Sequence, residues 1–280
     1  MIETTYSSEP QLARPRLFLS RMAADLLVAH QLGWRLAIRN LRSKYRRSLL
    51  GYVWAVLPIL TTTMIWVALN ASGLLSIRDT GISYPAFVLV NITLWQGFVD
   101  ALLSPLQQME SARSMLTKVN FARESLIIAG LVEVLFTFVI RLVLLLGALV
   151  WFGVPLAVTS ALAPLAILAL VLLGTTLGLL LLPLGLLYED VQRGLIIACS
   201  LWIFATPVFY PPPTHWPYTL ITYVNPVTPL LVTAREWLTL GVLSQPVAFV
   251  LVTGASLIVG AAAWVLYRLA MPHLIARISS

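Results

Sequence analysis

The stretch Arg35–Pro58, RLAIRNLRSKYRRSLLGYVWAVLP, joins a basic helical segment to the beginning of a long apolar run. Its arginines recur every three to four residues, and an apolar set keeps the same steps one position earlier. The two sets are Arg35, Arg39, Arg42 and Arg46, and Trp34, Ile38, Leu41, Tyr45 and Leu49. A helix divided in this way is typical of a membrane interface. We therefore expect an interface helix over residues 33–49, a break at Gly51 and then a membrane span.

The composition predicts a membrane protein. Of the 280 residues, 59% are hydrophobic and 10% are charged, whereas soluble domains carry about 25% charged residues. The apolar segments are continuous over about 20 residues rather than alternating, which favours helices over a β-barrel. The predicted fold class is therefore an all-α integral membrane protein.

Charge-free intervals predict six transmembrane helices. The interval Leu142–Tyr188 carries no charge, but as one helix it would be about 70 Å long, so the chain must turn near Gly153. We place the six spans at about residues 50–72, 84–106, 125–152, 161–187, 194–209 and 245–270.

Three further segments are too polar or too rich in proline to form a span. Residues 1–32 are predicted to be a polar N-terminal tail, and residues 107–124 a cytoplasmic helix. The prolines of residues 210–241 prevent one continuous helix there, which favours short re-entrant helices over a plain loop. Burial in a re-entrant gate is expected for the aromatic side chains of this segment, Trp216, Tyr218, Tyr223 and Trp237.

The basic residues orient the chain. Of the 18 Lys and Arg residues, 15 fall in segments assigned to the cytoplasmic side, and two, Arg78 and Arg235, to the other side. Cytoplasmic loops are enriched in Lys and Arg, so both termini are predicted to be cytoplasmic. The same distribution explains the net charge of +7 without a nucleic-acid partner.

Residue patterns for catalysis are missing from the sequence. Neither lysine, Lys44 or Lys118, follows a glycine, so there is no phosphate-binding P-loop. The three histidines are far apart, and Cys199 is the one cysteine. We expect no catalytic residue, no metal site and no cofactor bound by this chain, so energy for uphill transport would have to come from a partner.

Four motifs resemble those of ABC-2-type permeases that export polysaccharides. Tyr45–Gly51 (YRRSLLG), with Trp54 and Pro58 after it, resembles the family's opening. Lys118–Glu124 (KVNFARE) is similar to its segment after the second span, with Ala122 in place of proline. The other two are a loop after the fourth span and an outer signature, Tyr188–Arg193 (YEDVQR), in which Glu189 replaces arginine, and Phe209–Pro211 with Val224–Pro229.

This resemblance implies a homodimer that works with two copies of an ATP-binding subunit, in which ATP and Mg²⁺ would bind. The substrate class it implies is a lipid-linked polysaccharide, such as O-antigen, exported across the bacterial inner membrane. Export of a drug or a smaller lipid by a related permease is one alternative. A membrane enzyme acting on lipid-linked sugars is another, for which Glu189-Asp190 is the candidate acidic pair.

The resemblance and the charges together give the candidate site residues. The substrate entrance, where cations suit a lipid diphosphate, is predicted at Arg42, Lys44, Arg46 and Arg47; simple anchoring of the helix at head groups is the alternative. A coupling helix at 107–124, rather than a solvated loop, would contact the ATPase through Met109, Glu110, Arg113, Met115, Leu116, Arg123 and Glu124.

Charged and aromatic residues inside the spans have a structural and a functional interpretation. Glu133 and Arg141 are about 80° apart on one helix, so pairing with neighbouring spans is expected for them, as for Asp100, in preference to substrate contact. Most Trp and Tyr residues are expected at the membrane interfaces. The candidates for channel lining are Tyr52, Trp54, Trp66, Trp202 and Phe204.

Overall fold

The computed structural model describes residues 15–46, 50–75, 77, 80–113, 115 and 121–278. The regular elements of these residues are helices, which confirms the predicted all-α class. In chain order they are α1 (Pro15–Arg46), α2 (Val53–Ala71), α3 (Tyr84–Ser111), α4 (Glu124–Trp151), a 3₁₀ turn (Val158–Ala161), α5 (Ala163–Leu187), α6 (Asp190–Ala205), α7 (Thr219–Val224), α8 (Val227–Thr239) and α9 (Pro246–Ile278).

Five of the described helices are long and apolar enough to cross a membrane: α2, α3, α4, α5 and α9 as far as Met271. They correspond to five of the six predicted spans. The remaining one, 194–209, becomes α6, which has 16 residues and a length of about 24 Å. It ends early because Thr206 is extended, with ψ 138°, and proline at the next position disfavours a helical conformation there.

Helices α3 and α5 form the centre of the molecule. Of the most apolar stretch of each helix, 83% is buried in α3 and 67% in α5, against 17% in α2 and 11% in α9. Gly174 and Gly178 allow this close contact, because a Cβ on Gly174 would lie 2.7 Å from the carbonyl oxygen of Phe98. The peripheral helices α2 and α9 therefore present broad apolar faces outward.

Helix α1 begins at Pro15, so residues 15–32 of the expected polar tail are helical. Proline is favoured at the first position of a helix, and good helix formers such as Leu, Ala, Met and Arg follow it. The helix packs against α4 at Gly33, where a Cβ would lie 2.9 Å from the Ile128 side chain. The predicted break after the helix is present, because Gly51 has a φ of +48°.

The segment predicted as a coupling helix is only partly described. Residues 107–111 continue α3, residues 121–123 are not helical, and α4 begins at Glu124. Residues 114 and 116–120 lie outside the described residues, and the existence of a coupling helix within 107–124 remains a prediction.

The outer segment 210–241 contains two short helices, α7 and α8. Every residue of α8 is buried against the rest of the chain, and Trp237 is only 9% exposed, as predicted. The expected burial is wrong for Trp216, Tyr218 and Tyr223, which are 78%, 64% and 83% exposed. These three lie beyond the end of α6, where no described helix other than α8 makes extensive contact with α7.

Candidate functional site

A polar cluster joins α1, α3 and α4 at the end of the molecule that the basic residues predict to be cytoplasmic, called the inner end here. The Asn40 amide donates to Glu133 Oε1 at 2.8 Å and to Gln108 Oε1 at 3.4 Å. Gly130 makes room for the cluster, because a Cβ there would lie 2.9 Å from Cγ of Gln108. We call Asn40, Gln108 and Glu133 the inner polar node. Glu133 was expected to pair with a neighbouring span, but its carboxylate accepts from Asn40 of α1, which is not one of the spans.

A cavity of about 230 Å³ lies beside the inner polar node, between α1 and the end of α3. Arg39, Ser111 and Met115 are among its lining residues. Arg39 also borders an open surface groove of about 820 Å³ whose lining residues all belong to α1. We call this the basic groove; its charged lining residues are Arg35, Arg39, Arg42 and Arg46.

Only some of the residues predicted for the substrate entrance line the basic groove. Arg42 and Arg46 line it and are exposed. Lys44 is exposed as well. It is two residues after Arg42, which places it about 200° around the helix from that residue, and it does not line the basic groove. Arg47 lies outside the described residues. Arg35 and Arg39, which the prediction left out, complete the row, and their regular spacing in the sequence was the signal for them.

The predicted coupling residues fall into an exposed and a buried group. Glu110 and Arg113 are exposed enough to reach a partner and lie 3.6 Å apart, and Arg113 is also 3.8 Å from Glu189. Met115 is half-buried beside the cavity. Met109 is fully buried, so the expectation that it contacts the ATPase is wrong in this structure. The reason is that residue 109 still belongs to α3 and faces the core.

Glu124 also faces the interior. Its carboxylate is 3.4 Å from Arg268 of α9, and the residue is 7% exposed. As the first residue of α4 it carries negative charge at a helix N-terminus, which is favourable. Arg123, one residue earlier, is half-buried, and Leu116 lies outside the described residues. Glu124 thus fixes the end of the coupling segment to α9.

A buried ion pair connects the membrane-spanning helices. Arg141 of α4 is 7% exposed, and its Nη1 lies 2.5 Å from Oδ2 of Asp100 in α3. Its Nε donates to the carbonyl oxygen of Ala55 in α2 at 3.0 Å. The prediction that Asp100 and Arg141 pair with neighbouring spans is confirmed.

The candidate channel residues occupy three different environments. Tyr52 and Trp54 are about half exposed at the inner end of α2. At its outer end Trp66 stacks on Phe209, with ring centroids 3.9 Å apart, and lies 6.4 Å from Phe204. The structure therefore brings Trp66 and Phe204 together and leaves Tyr52 and Trp54 about 18 Å or more away along the helix.

Trp202 is engaged inside the protein. Its ring lies edge-on to Phe98 at 5.5 Å, and its indole N–H donates to Asn225 Oδ1 at 3.2 Å. By contrast Phe204 is 56% exposed, on a face of α6 that also exposes Ile197 and Leu201. Helix α2 exposes Met64 in the same manner.

Asn225 connects the end of α6 to the beginning of α8. Its amide nitrogen donates to the carbonyl of Ala205 at 3.1 Å and to Thr206 Oγ1 at 2.8 Å. Its amide oxygen accepts from Trp202 and from the backbone N–H of Val227 at 3.0 Å. Both amide hydrogens and both lone pairs are thus used. The Asn-Pro motif of the sequence is a joint between two helices.

Helix α8 carries a buried charge near the outer side. The Arg235 guanidinium lies 4.8 Å above the Phe87 ring. Its Nε and Nη1 have no hydrogen-bond partner among the described residues. Burial lowers the pKa of Arg235 to about 10, and the Glu236 carboxylate acts in the opposite direction. Glu236 itself accepts bonds from the backbone and hydroxyl of Ser244.

Among the described residues no group of three or more His, Cys, Asp or Glu side chains could hold a metal ion. The acidic residues considered for catalysis, Glu189 and Asp190, are exposed and lie 4.0 and 3.8 Å from Arg193. The distinctive features are a basic groove, a buried ion pair and exposed apolar helices. They define a multi-pass, all-helical membrane protein.

The chain belongs to the ABC-2 type transporter family, whose profile matches residues 31–238. Curated relatives include the O-antigen export system permease protein RfbA of Myxococcus xanthus, with 27% identity over 75% of this chain and 81% of the relative. A protein of the same name from Klebsiella pneumoniae is 23% identical over 77% of this chain and 83% of the relative. The family predicted from the four motifs is confirmed.

Proposed function

We propose that the chain is the membrane-spanning subunit of an ABC transporter that exports a lipid-linked, O-antigen-like polysaccharide across a bacterial inner membrane. The observation that carries this proposal is the similarity to O-antigen export permeases, which covers about three quarters of the chain. ATP and Mg²⁺ would bind to a separate ATPase subunit, since this sequence has no P-loop.

Deletion of the gene tests this function. Without the permease, the lipid-linked polymer should accumulate in the cytoplasm and disappear from the cell surface, and the chain supplied from a plasmid should restore export. Surface polysaccharide and its lipid-linked precursor would be measured in the same cells. Unchanged surface polysaccharide in the deletion strain would contradict the proposal. A gel of whole-cell glycolipids would then reveal whether a smaller lipid is retained instead.

The exposed faces of α2 and α6 favour a homodimer with the channel at its axis. Large apolar side chains on these faces, including Met64 at 71% and Leu201 at 68% exposed, would meet the second copy or the lipid. Residues 206–209, which follow α6, are buried and form a turn. A sixth span would have to include them, because α6 alone, at about 24 Å, is shorter than the hydrocarbon core of about 30 Å. Six spans would leave both termini cytoplasmic.

The basic groove fits the phosphates of a lipid-linked substrate at the entrance. Arg42 and Arg46 are expected to be required together, so the double variant Arg42→Ala/Arg46→Ala should reduce export about tenfold or more, because each charge-assisted bond contributes roughly 1.5–3 kcal/mol. Export would be measured at equal amounts of permease in the membrane.

The matched control removes two cations from the same side of the membrane. Lys44→Ala/Arg277→Ala lowers the net charge equally but leaves the lining of the basic groove intact. It should therefore retain most of the export. If both double variants lose export equally, general charge and not the groove is responsible, and the entrance role is wrong.

Glu110 and Arg113 are proposed as the contact with the ATPase. A cysteine at Glu110, in a Cys199→Ala background, should crosslink to the ATPase subunit in membranes. A cysteine at the neighbouring Met109 should not, because that residue is fully buried. Immunoblotting for the joined subunits measures both. Equal yields at 109 and 110 would place the contact elsewhere in the chain.

A further inference from the structure

Helix α2 contains a proline and three threonines that favour bending of the helix. Pro58 lies inside the helix, and proline both lacks the N–H for the carbonyl four residues earlier and crowds it. The next turn holds three threonines whose hydroxyls bond back to the helix: Thr61 and Thr62 to the Pro58 carbonyl, at 3.1 and 2.8 Å, and Thr63 to that of Ile59. Such back-bonding often bends helices.

The two ends of α2 are attached to different parts of the protein. Beyond the threonines, Trp66 stacks on Phe209, which follows α6. Before Pro58, the Ala55 carbonyl accepts from Arg141 Nε of α4. Arg141 is in turn fixed by Asp100 of α3. One guanidinium therefore joins the inner turn of α2 to two other helices.

This contact matters because most of α2 is not buried in the protein. Only 17% of its most apolar stretch is buried, so side-chain packing holds the helix weakly. A charge-assisted bond to a backbone carbonyl does not depend on which side chains surround it, and it is stronger in a low-dielectric environment than in water. It can therefore hold the inner turn while the remainder of α2 changes its direction.

We propose that Arg141 is a positioning residue that anchors the inner turn of α2, so that α2 bends at Pro58 with this turn fixed to α3 and α4. The functional meaning of the anchor rests on the proposed role of α2 as a channel wall. The anchor itself is a statement about two helices in one chain, and it can be tested without substrate, ATP or the ATPase.

The test compares two neutral pairs of the same size. In Asp100→Asn/Arg141→Gln, the glutamine amide nitrogen takes the position of Nε and can still donate to Ala55. In Asp100→Asn/Arg141→Met, a methyl group takes that position. Neither pair leaves a charge buried in the membrane, so the two differ mainly in the one donor, and both are expected to reach the membrane.

The position of the inner turn is measured by crosslinking. The rings of Tyr52 and Phe136 are 6.1 Å apart, so cysteines at these positions, in a Cys199→Ala background, report whether the turn lies against α4. With a short thiol crosslinker, the Gln pair should crosslink as fast as the native Asp100–Arg141 pair. The Met pair should react about three- to tenfold more slowly, as expected for the loss of one hydrogen bond.

Equal rates in the Gln and Met pairs would overturn the anchor. Should the Met pair not accumulate, Arg141→Lys with native Asp100 gives the same comparison, because lysine keeps the charge but has a carbon at the Nε position. Slow crosslinking in this variant supports the anchor, and a native rate overturns it. Export in the same variants is a separate readout. Slow crosslinking together with normal export would support the anchor but contradict the channel role of α2.

Discussion

Gly178→Ala is expected to lower the amount of folded protein in the membrane severalfold, although it adds a single methyl group. A Cβ at this position would overlap the Leu102 carbonyl oxygen and lie 3.0 Å from the Pro105 ring. A backbone carbonyl and a proline ring cannot rotate away, so α5 would have to withdraw from α3. Overpacking of this kind costs about 1–3 kcal/mol, and more where the neighbours are rigid.

Two other helical glycines provide the control. A Cβ on Gly147 in α4 or on Gly254 in α9 would have no heavy atom within 4 Å. Alanine at these positions should be neutral or slightly stabilising, because alanine has the higher helix propensity. Thermal unfolding of the purified variants, followed by size-exclusion chromatography, measures the difference. If the unfolding temperature of Gly178→Ala equals that of the two controls, the α3–α5 contact is less tight than the structure indicates.

The hydrophobic pattern was sufficient to place most helices. Five predicted spans correspond to helices, because a run of about 20 apolar residues has few alternatives in a membrane. Gly174 and Gly178 also have a readable signal, the spacing of small residues four positions apart that lets membrane helices approach. The prediction from sequence did not include this spacing or the central position of α3 and α5.

Helix ends and exposure were harder to predict. The end of α6 before Pro207 follows from local chemistry and could have been predicted. The exposure of Trp216 and Tyr223 could not, since burial of an aromatic ring depends on whether another element lies above it. Their apolar rings favour burial, but the sequence of one chain does not show which element would bury them.

The candidate site shows the same division between local and tertiary information. The arginine row of α1 is periodic, so its members could be found from spacing alone. Asp100 pairs with Arg141 and Glu124 with Arg268, across helices that are distant in the sequence. Helical periodicity fixes the face of each residue but not the neighbour that this face meets. For that reason Glu124 was expected to face a partner protein and instead faces α9.

Asn225→Ala is expected to have the second large effect. The substitution removes four hydrogen bonds at once and leaves the indole N–H of Trp202 and the backbone N–H of Val227 without their acceptor. Losing buried bonds and stranding a donor costs about 2–5 kcal/mol in total. The joint between α6 and α8 should then open, and both the unfolding temperature and the export rate should fall.

Asn225→Asp distinguishes the joint from simple packing, since it keeps the shape of the side chain. The carboxylate can still accept from Trp202 and Val227, but it has no donor for the Ala205 carbonyl and would repel it. We expect most of the loss seen with alanine. Thr222→Ala, which removes a bond confined to α7, should leave the unfolding temperature within about 2 °C, because a surface substitution of this kind costs about 0.5 kcal/mol or less. If Asn225→Asp were as stable as the native chain, packing alone would hold α8 and the amide would not be the joint.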